Sequence, residues 1–477
     1  MKIIIVGDGM VGDTLIRYIS GEGHHVTVID PVPARINRVV NQYDVQGVVG
    51  NGAGHDVLQE AGVSDTDLLI AVTGSDELNM VCCMLAEKLG ASRSIARVRN
   101  PEYFRERGFV RDYMGIDFVV NPEYEAANEI TRLVRFPAAL KMEAFAKGRV
   151  DMAEIHVDSG HPLIGQKLAT LQQTYGVSVL VCAVLRGEDV FIPGGDFVLC
   201  EGDIISITAS HRELSRFFGR LGLMDKPVRD VMIMGGGRCA FYLAEQLLSL
   251  GMGVRIVESD EVRARELSEL LPQAAIILGD CSDSELLEEE GIAKADACIA
   301  LTENDEKNSI VSLYARSHGV ERVIARIDSD SLVKTMAGLG VDCIISPRRV
   351  CTTGVLRYLR GLENSKKIQS KLRRAGKSAE LSGSVGDGDR TFGIVSLYKL
   401  CNDRAEAVEF NVDETFRALG VPLMSPDFKL KKNTLIAQVV RRNTVIQPHG
   451  STTLEVGDSV IIVTTSGELT ELNDILE

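Results

Sequence analysis

Apolar residues fall in short unbroken blocks separated by stretches with helical spacing, the alternation expected of a parallel α/β sheet whose strands are covered on both faces. Lys2–Val6 reads as a first strand and Val11–Ser20 as a helix. Val26–Ile29 is a second strand, followed by a helix over Pro33–Gln42 that carries its proline in the first turn, where the missing N–H costs nothing. Val45–Val49, Leu68–Val72 and Ser94–Val98 are three further strands, with crossover helices around Asp56–Ala61 and Glu77–Leu89. A short sixth strand, Phe118–Val120, stops at Pro122.

The pattern is then written a second time. KIIIVGDGMVGDTL from Lys2 returns as DVMIMGGGRCAFYL from Asp230, and VTVID ending at Asp30 returns as VRIVE ending at Glu258. GNGAGHDVLQEAG from Gly50 matches GDCSDSELLEEEG from Gly279; DLLIAVTGSDELN matches DACIALTENDEKN; SIARVRN matches VIARIDS. Five segments in one order establish an internal duplication. Strand Cys343–Ile345 and Pro347 close the second copy, and the helices after the two prolines, about Glu123–Val134 and Arg349–Arg360, are expected to leave their sheets.

A different texture follows each copy. From Leu140 to Ile207 apolar and polar positions alternate in short runs with turns, and VIQPHGSTTLEVGDSVIIV near the end repeats the style. Pro193 pairs with Pro448, Leu199 with Leu454, and the Gly202-Asp203 turn with Gly457-Asp458. The expected organisation is a doubly wound α/β domain N1 over 1–135, a small α+β domain C1 over 136–222, N2 over 228–362, and C2 over 392–477. An insertion over 363–391, first basic and then rich in Gly, Ser and Asp, breaks the symmetry; it reads either as a flexible surface insertion with a frayed basic helix or as a contact to acidic lipid headgroups or to a partner.

Composition narrows the function classes. A net charge of −15 with no tryptophan and 5% aromatic residues argues against nucleic acid, which needs concentrated positive charge or stacking platforms. No apolar run approaches bilayer length, and the opening strand has no leader pattern, so any membrane association is expected to come through a partner. The ten cysteines form no CxxC pair and read as buried, reduced thiols; no metal site is expected. His24-His25 reads as a solvated turn, and no Walker-type GK[ST] occurs.

The candidate chemistry lies at the glycine loops. Gly7-Asp8-Gly9-Met10-Val11-Gly12 follows a strand and opens a helix, the context that gives this otherwise weak motif its meaning. Gly7 permits a tight turn, Gly9 leaves room for a pyrophosphate, and Gly12 lets helix and sheet approach, while amides at Met10 and Val11 point donors at an anion. Asp30, ending the second strand, is placed to accept ribose hydroxyls and to repel a 2′-phosphate, favouring NAD or ATP-type ligands over NADP. The second copy reads Gly235-Gly236-Gly237-Arg238-Cys239-Ala240 with Glu258 as the acid; Arg238 could reach a phosphate where the first copy has Met10. Asn51, Gly52 and Thr73, with Asp280, Cys281 and Thr302 in the second copy, end other strands on the ligand-binding edge. Arg97 and Arg326 end the fifth strands and could contact phosphate or pair with an acid.

Together these loops, GNGAGHDVLQEAG and its copy, TGSDELNM, ARVRNPEY and IPGGDFVLCEGD resemble the TrkA family of regulatory subunits of Trk and Ktr potassium uptake systems. The resemblance implies two Rossmann-like N domains with small companions in N1-C1-N2-C2 order, binding of NAD(H) or ATP/ADP, and no catalysis. It further implies a homo-oligomer, a dimer of tandem chains giving a ring of four N domains, cytoplasmic and peripheral to the membrane through a potassium channel subunit of the TrkH, TrkG or KtrB kind. By the same resemblance, ring geometry set by the bound nucleotide biases the channel gate. The glycine loops, Asp30, Glu258 and Ala240 carry the implied binding roles. Asn51 departs from the family, where Asp is common. An NAD-dependent oxidoreductase with duplicated Rossmann domains, and a nucleotide sensor with another soluble partner, are the competing readings.

Overall fold

The computed structural model describes residues 1–136, 139–223, 228–337, 339, 341, 343–374, 394–466 and 469–477. In the first N domain strands β1 (Lys2–Val6), β2 (His25–Asp30), β3 (Gln46–Val49), β4 (Leu68–Ala71), β5 (Ser94–Arg97) and β6 (Phe118–Val120) form one parallel sheet in the order β3-β2-β1-β4-β5-β6. Helices α1 (Met10–Gly21), α2 (Pro33–Gln42), α3 (His55–Glu60) and α4 (Asp76–Leu89) fill the crossovers. Two short helices, α5 (Pro101–Arg105) and α6 (Arg107–Met114), lie between β5 and β6, and α7 (Pro122–Arg135) follows the last strand. The doubly wound order reverses direction between β1 and β4, and that switch point leaves a crevice at the carboxyl ends of the strands.

C1 is an antiparallel sheet of β7 (Lys141–Phe145), β8 (Val150–His156), β9 (Leu180–Arg186), β10 (Asp189–Phe191) and β11 (Ile204–Ser210), ordered β10-β9-β11-β8-β7. It carries α8 (Leu171–Tyr175) and α9 (His211–Arg220).

N2 repeats N1. Strands β12 (Asp230–Met234), β13 (Gly253–Glu258), β14 (Ala275–Leu278), β15 (Ala297–Ala300), β16 (Arg322–Arg326) and β17 (Cys343–Ile345) take the same order, with α10 (Arg238–Ser249), α11 (Glu261–Leu270), α12 (Ser284–Glu289), α13 (Asp305–Ser317) and α14 (Asp330–Ala337). Helix α15 (Pro347–Arg374) runs on through the basic residues expected in the insertion; the Gly/Ser-rich part, from 375, lies outside the described residues. C2 comprises β18 (Ile394–Leu400), β19 (Ala405–Asn411), β20 (Thr434–Arg441), β21 (Thr444–Ile446) and β22 (Ser459–Thr464), ordered β18-β19-β22-β20-β21, which is the C1 topology.

The chain divides into two compact units. One holds Met1–Asn128 with Val231–Leu356, and the other holds Glu129–Asp230 with the C2 strands, so each expected exit helix is split between them. Within the first unit, the two N domains meet on aromatic rings: Phe104 and Tyr124 stand 4.9 Å apart, and Tyr242 of α10 lies 5.4 Å from Tyr124. The Tyr242 hydroxyl donates to the Arg99 carbonyl at 3.0 Å and accepts from Asn121 at 3.0 Å. Burial pushes this phenol up to about 12, so it stays protonated and donating. Tyr242→Phe is expected to lower unfolding stability by about 1–2 kcal/mol, the cost of a buried carbonyl and amide losing a shared partner. Urea unfolding of the variant checks this; an unchanged midpoint would mean the hydroxyl does not hold the two domains.

In the second unit the two small sheets exchange glutamates. Glu154 of β8 accepts the Cys401 amide at 2.7 Å, and Glu409 of β19 accepts the Ala146 amide at 3.0 Å. Ala146 and Cys401 occupy the same turn in the two copies, each with φ near +50°. The shared core joins Phe145, Met152 and Leu185 to Leu400, Ala407, Ile461 and Val463. The Gly-Asp turns matched in the sequence are also explained. Asp203 takes a two-point fork from Arg186 at 2.7 and 2.8 Å, and Asp458 takes one from Arg441 at 2.8 Å on both arms.

Two sequence expectations are corrected. His24 is buried, 9% exposed, against the terminal amino group at 3.3 Å, and His25 opens β2 exposed, so the pair is not a solvated turn. The short apolar stretch after it pulls His24 inward. All ten cysteines are free thiols, but Cys200 is exposed, because it sits in a turn rather than in a strand.

Candidate functional site

At the first switch point the glycine loop is built as its residue types require. Gly7 has φ +101°, and a Cβ there would stand 3.1 Å from the Thr73 backbone. A Cβ on Gly12 would lie 1.9 Å from the Gly7 carbonyl oxygen, so α1 packs against the loop only without a side chain. Gly9 caps α1 in extended conformation, and a Cβ there would meet nothing within 4 Å. The space in front of Gly9 therefore lies open, next to the unpaired amides at the start of α1, where an anionic group is favoured.

A cleft of about 610 Å³ opens here, a volume suited to a small organic ligand. Gly7, Gly9, Met10, Val11, Asp30, Asn51, Gly52, Thr73 and Arg97 line it, joined by Pro31, Arg35, Gly74, Leu78 and Arg99, which the sequence did not single out. Asp8 and Gly12 do not line it. The Asp8 carboxylate turns away to Arg38 of α2 at 2.9 Å, where burial holds its pKa above the usual range in spite of that partner.

Asp30 is 2% exposed and knits the loop to the second strand. Its oxygens accept the Asp8 amide and the Val32 amide, both at 2.9 Å, with Arg35 at 3.4 Å. A carboxylate has about four lone-pair positions, so three contacts leave capacity for a ribose hydroxyl. Asn51 accepts the Ala53 amide at 3.0 Å and shapes its own turn. The Arg97 guanidinium donates to the Thr73 carbonyl at 2.5 Å and is largely enclosed, and burial depresses its pKa. It is thus occupied by a carbonyl rather than paired with an acid.

The residues that hold the strand ends together were missed. Asn79, fully buried on α4, accepts from the Thr73 amide and hydroxyl, both at 2.7 Å, and donates to the Arg97 carbonyl at 2.9 Å. Asn308 repeats this with Thr302 at 2.9 and 2.6 Å and with the Arg326 carbonyl at 2.8 Å. Asp76 accepts the Arg99 and Asn100 amides at 2.8 and 2.7 Å, and Asp305 accepts those of Asp328 and Ser329 at 3.0 and 2.8 Å. The signal was present: both Asn and Asp recur in the duplicated TGSDELN and TENDEKN segments.

The second loop shares the backbone but not the surroundings. Gly235 has φ +96° against Thr302, matching Gly7 and Thr73, and Gly237 faces open space. Glu258 accepts the Gly236 amide at 2.6 Å and the Asp260 amide at 2.8 Å. Arg238 is exposed at the start of α10, whereas Cys239 and Ala240 are buried in it. Cys281 packs into the domain core beside Met232 and Cys298, which places it as a core residue. Arg326 pairs with Asp328 at 3.5 Å. The clearest difference lies at the strand ends: Asp280 meets Lys307 at 3.0 Å, where the first copy has Asn51 and the apolar Leu78. Hydrogen bonds from Ser282 and Lys307 hold the Asp280 carboxyl down at about 2.

The chain is similar to known proteins along its length. The TrkA-N domain model matches residues 3–122 and 231–347, and the TrkA-C domain model matches 152–222 and 407–477. The chain is 33% identical over 478 residues to the Trk system potassium uptake protein TrkA homolog of Archaeoglobus fulgidus, spanning 100% of both chains. It is 32% identical over 466 residues to the Trk system potassium uptake protein TrkA of Vibrio alginolyticus, covering 97% of this chain and 95% of that one. In fold it is similar to the GsuK channel, at TM-score 0.63 and 19% identity over 98% of this chain and 77% of that one. The GsuK channel bound to NAD gives TM-score 0.61 at 19% identity, with the same coverage.

Proposed function

Because this chain belongs to the TrkA family, we propose that it is a nucleotide-sensing regulator of membrane potassium uptake, binding NAD(H) or ATP/ADP in its N domains and acting without catalysis. The observation that carries the reading is the first cleft: open space at Gly9 beside the amides of α1, with the buried Asp30 carboxylate across it. Gly9, Met10 and Val11 would hold the phosphates, Asp30 the ribose, and Leu78 would offer an apolar wall to the base. A bound nucleotide supplies no chemistry here beyond its own charge and shape. The neighbouring arginines are engaged with carbonyls and carboxylates, an arrangement that suits binding.

Regulation then follows from differential affinity. A ligand that prefers one arrangement of the N domains by about 1.4 kcal/mol shifts the ratio of arrangements tenfold, and a channel subunit attached to them reads that ratio. The two N domains already form one compact unit, which supports a ring of four built from two chains at the cytoplasmic face of the membrane, against a channel of the TrkH, TrkG or KtrB kind.

Calorimetric titration with NADH, NAD⁺, ATP, ADP and NADPH tests the reading. Asp30→Ala is expected to weaken binding of the unphosphorylated-ribose ligands at least tenfold, about 1.4 kcal/mol or more. NADPH is expected to bind worst in the wild type. Binding by none of the five would sink the sensor.

A further inference from the structure

Helix α15 has 28 residues where its counterpart α7 has 14. The duplication aligns residues 347–360 with the whole of α7, and α15 then continues through residues 361–374. At 1.5 Å per residue the continuation adds about 21 Å of helix. The first half passes from the end of α7 at Arg135 to the start of β7 at Lys141 without it, so joining an N domain to its small companion does not require it. The family domains leave it out as well: residues 348–406 separate the second matched pair, against 123–151 for the first.

The extension is basic in an acidic protein. Lys366, Lys367, Lys371, Arg373 and Arg374 fall within nine positions that hold no acidic residue, while the chain carries a net charge of −15. In helical register Lys367, Lys371 and Arg374 share one stripe, and Ile368 and Leu372 share another. Like charges three or four positions apart oppose a helix by themselves, and an anionic surface laid against them relieves that repulsion. Two apolar positions are too few to sink the helix into a bilayer. Among the described residues, no helix is long and apolar enough to cross one. Electrostatic contact at the surface is what remains, the chemistry by which clusters of about four to eight Lys and Arg hold acidic lipid headgroups. Nucleic acid is the other polyanion, but residues 359–391 contain no aromatic side chain on which a base could stack.

We propose that residues 366–374 of α15 are a docking surface for the acidic headgroups of a membrane, giving the chain a membrane contact of its own beside its channel partner. The inference rests on the reading above only for the nearness of a membrane; it needs neither nucleotide nor channel subunit.

The test is flotation of the purified full chain with vesicles of phosphatidylcholine alone and with vesicles of phosphatidylcholine and phosphatidylglycerol in equal parts. The wild type is expected to bind the acidic vesicles about tenfold more tightly or better. Raising salt from about 0.1 M to about 1 M, which shortens the screening length from about 10 Å to about 3 Å, is expected to release it. A variant carrying Lys366→Gln, Lys367→Gln, Lys371→Gln, Arg373→Gln and Arg374→Gln together is expected to lose the preference. Lys366→Arg, Lys367→Arg and Lys371→Arg together keep the charge and are expected to keep the binding. Equal binding of the wild type to both vesicles overturns the proposal, and so does a five-Gln variant that binds acidic vesicles as tightly as wild type. Tighter binding to duplex DNA than to acidic vesicles, lost in the Gln variant, would assign the helix to nucleic acid and overturn it too. The salt series and the two-vesicle comparison use the wild type, so they decide the matter even if the Gln variant misfolds. Calorimetry with ADP separates the two readings. Vesicle preference without ADP binding leaves this inference standing and sinks the nucleotide sensor, and ADP binding without vesicle preference does the reverse.

Discussion

Gly12→Val is expected to abolish nucleotide binding in the N1 cleft and to lower stability by about 2–3 kcal/mol, near the upper end of overpacking costs. The first atom of any side chain at this position would stand 1.9 Å from the Gly7 carbonyl oxygen and 3.0 Å from its carbon. Relief requires α1 to move off the loop by more than an ångström. That movement disturbs three things at once. The α1 amides leave their aim at the space before Gly9, the Asp8 amide is pulled from Asp30, and the Gly7 turn is pressed on Thr73. Glycine loops act through backbone placement, so losing that placement removes the phosphate site even where the fold survives. The second loop carries Ala240 at the equivalent place, so it accommodates a methyl that the first cannot. Ala240→Val should therefore be milder in stability than Gly12→Val, and Ala240→Gly close to neutral. Thermal unfolding with NADH or ADP titration on the purified variants decides it. Full affinity in Gly12→Val would mean that the first loop is not the binding element.

How much of this was legible follows from where the determining contacts lie along the chain. The sheet order, the glycine turns and Asp30 rest on local patterns, repeated twice, and the repeat turned weak motifs into a firm reading. Helices α5 and α6 were not visible because one has five residues and the other eight, with Gly108 inside, too short for periodicity to register. Asp8 looked like a ligand because the motif places it between two working glycines. Its partner Arg38 is thirty residues on, and nothing local announces that the side chain turns away. Cys281 sat in a candidate position by alignment with Gly52, yet a Cβ at Gly52 would strike Val6 at 2.2 Å, so the two copies must pack that corner differently. Asn79 and Asn308 could have been found by asking why an amide recurs on the apolar side of two helices. The Glu154 and Glu409 exchange joins residues hundreds of positions apart, beyond any periodicity.

Glu406→Ala is expected to be the most destabilising single change in the small domains, by about 3–5 kcal/mol, the range found when one partner of a buried ion pair is removed. Arg360, on the part of α15 grouped with the C domains, is 1% exposed and donates to Glu406 of β19 at 3.0 Å. Lys399 of β18 also reaches this carboxylate, whose side chain is 8% exposed. One carboxylate thus neutralises two cations at the end of a sheet where water has little access. Removing it deprives the buried Arg360 guanidinium of the carboxylate at 3.0 Å, and the share of its desolvation cost that Glu406 offsets is lost. A paired loss separates this from simple loss of packing. Arg360→Met with Glu406→Leu replaces both charges with apolar volume and should recover most of the stability, since a buried pair contributes little beyond its own desolvation. Single variants far below the wild type and a double variant near it would establish Arg360–Glu406 as the charge lock between α15 and C2. Additive losses in the double variant would instead assign the effect to packing at β19. Nucleotide affinity at the N1 cleft should be unchanged in any variant that folds, because Glu406 and the Gly7 loop belong to different compact units.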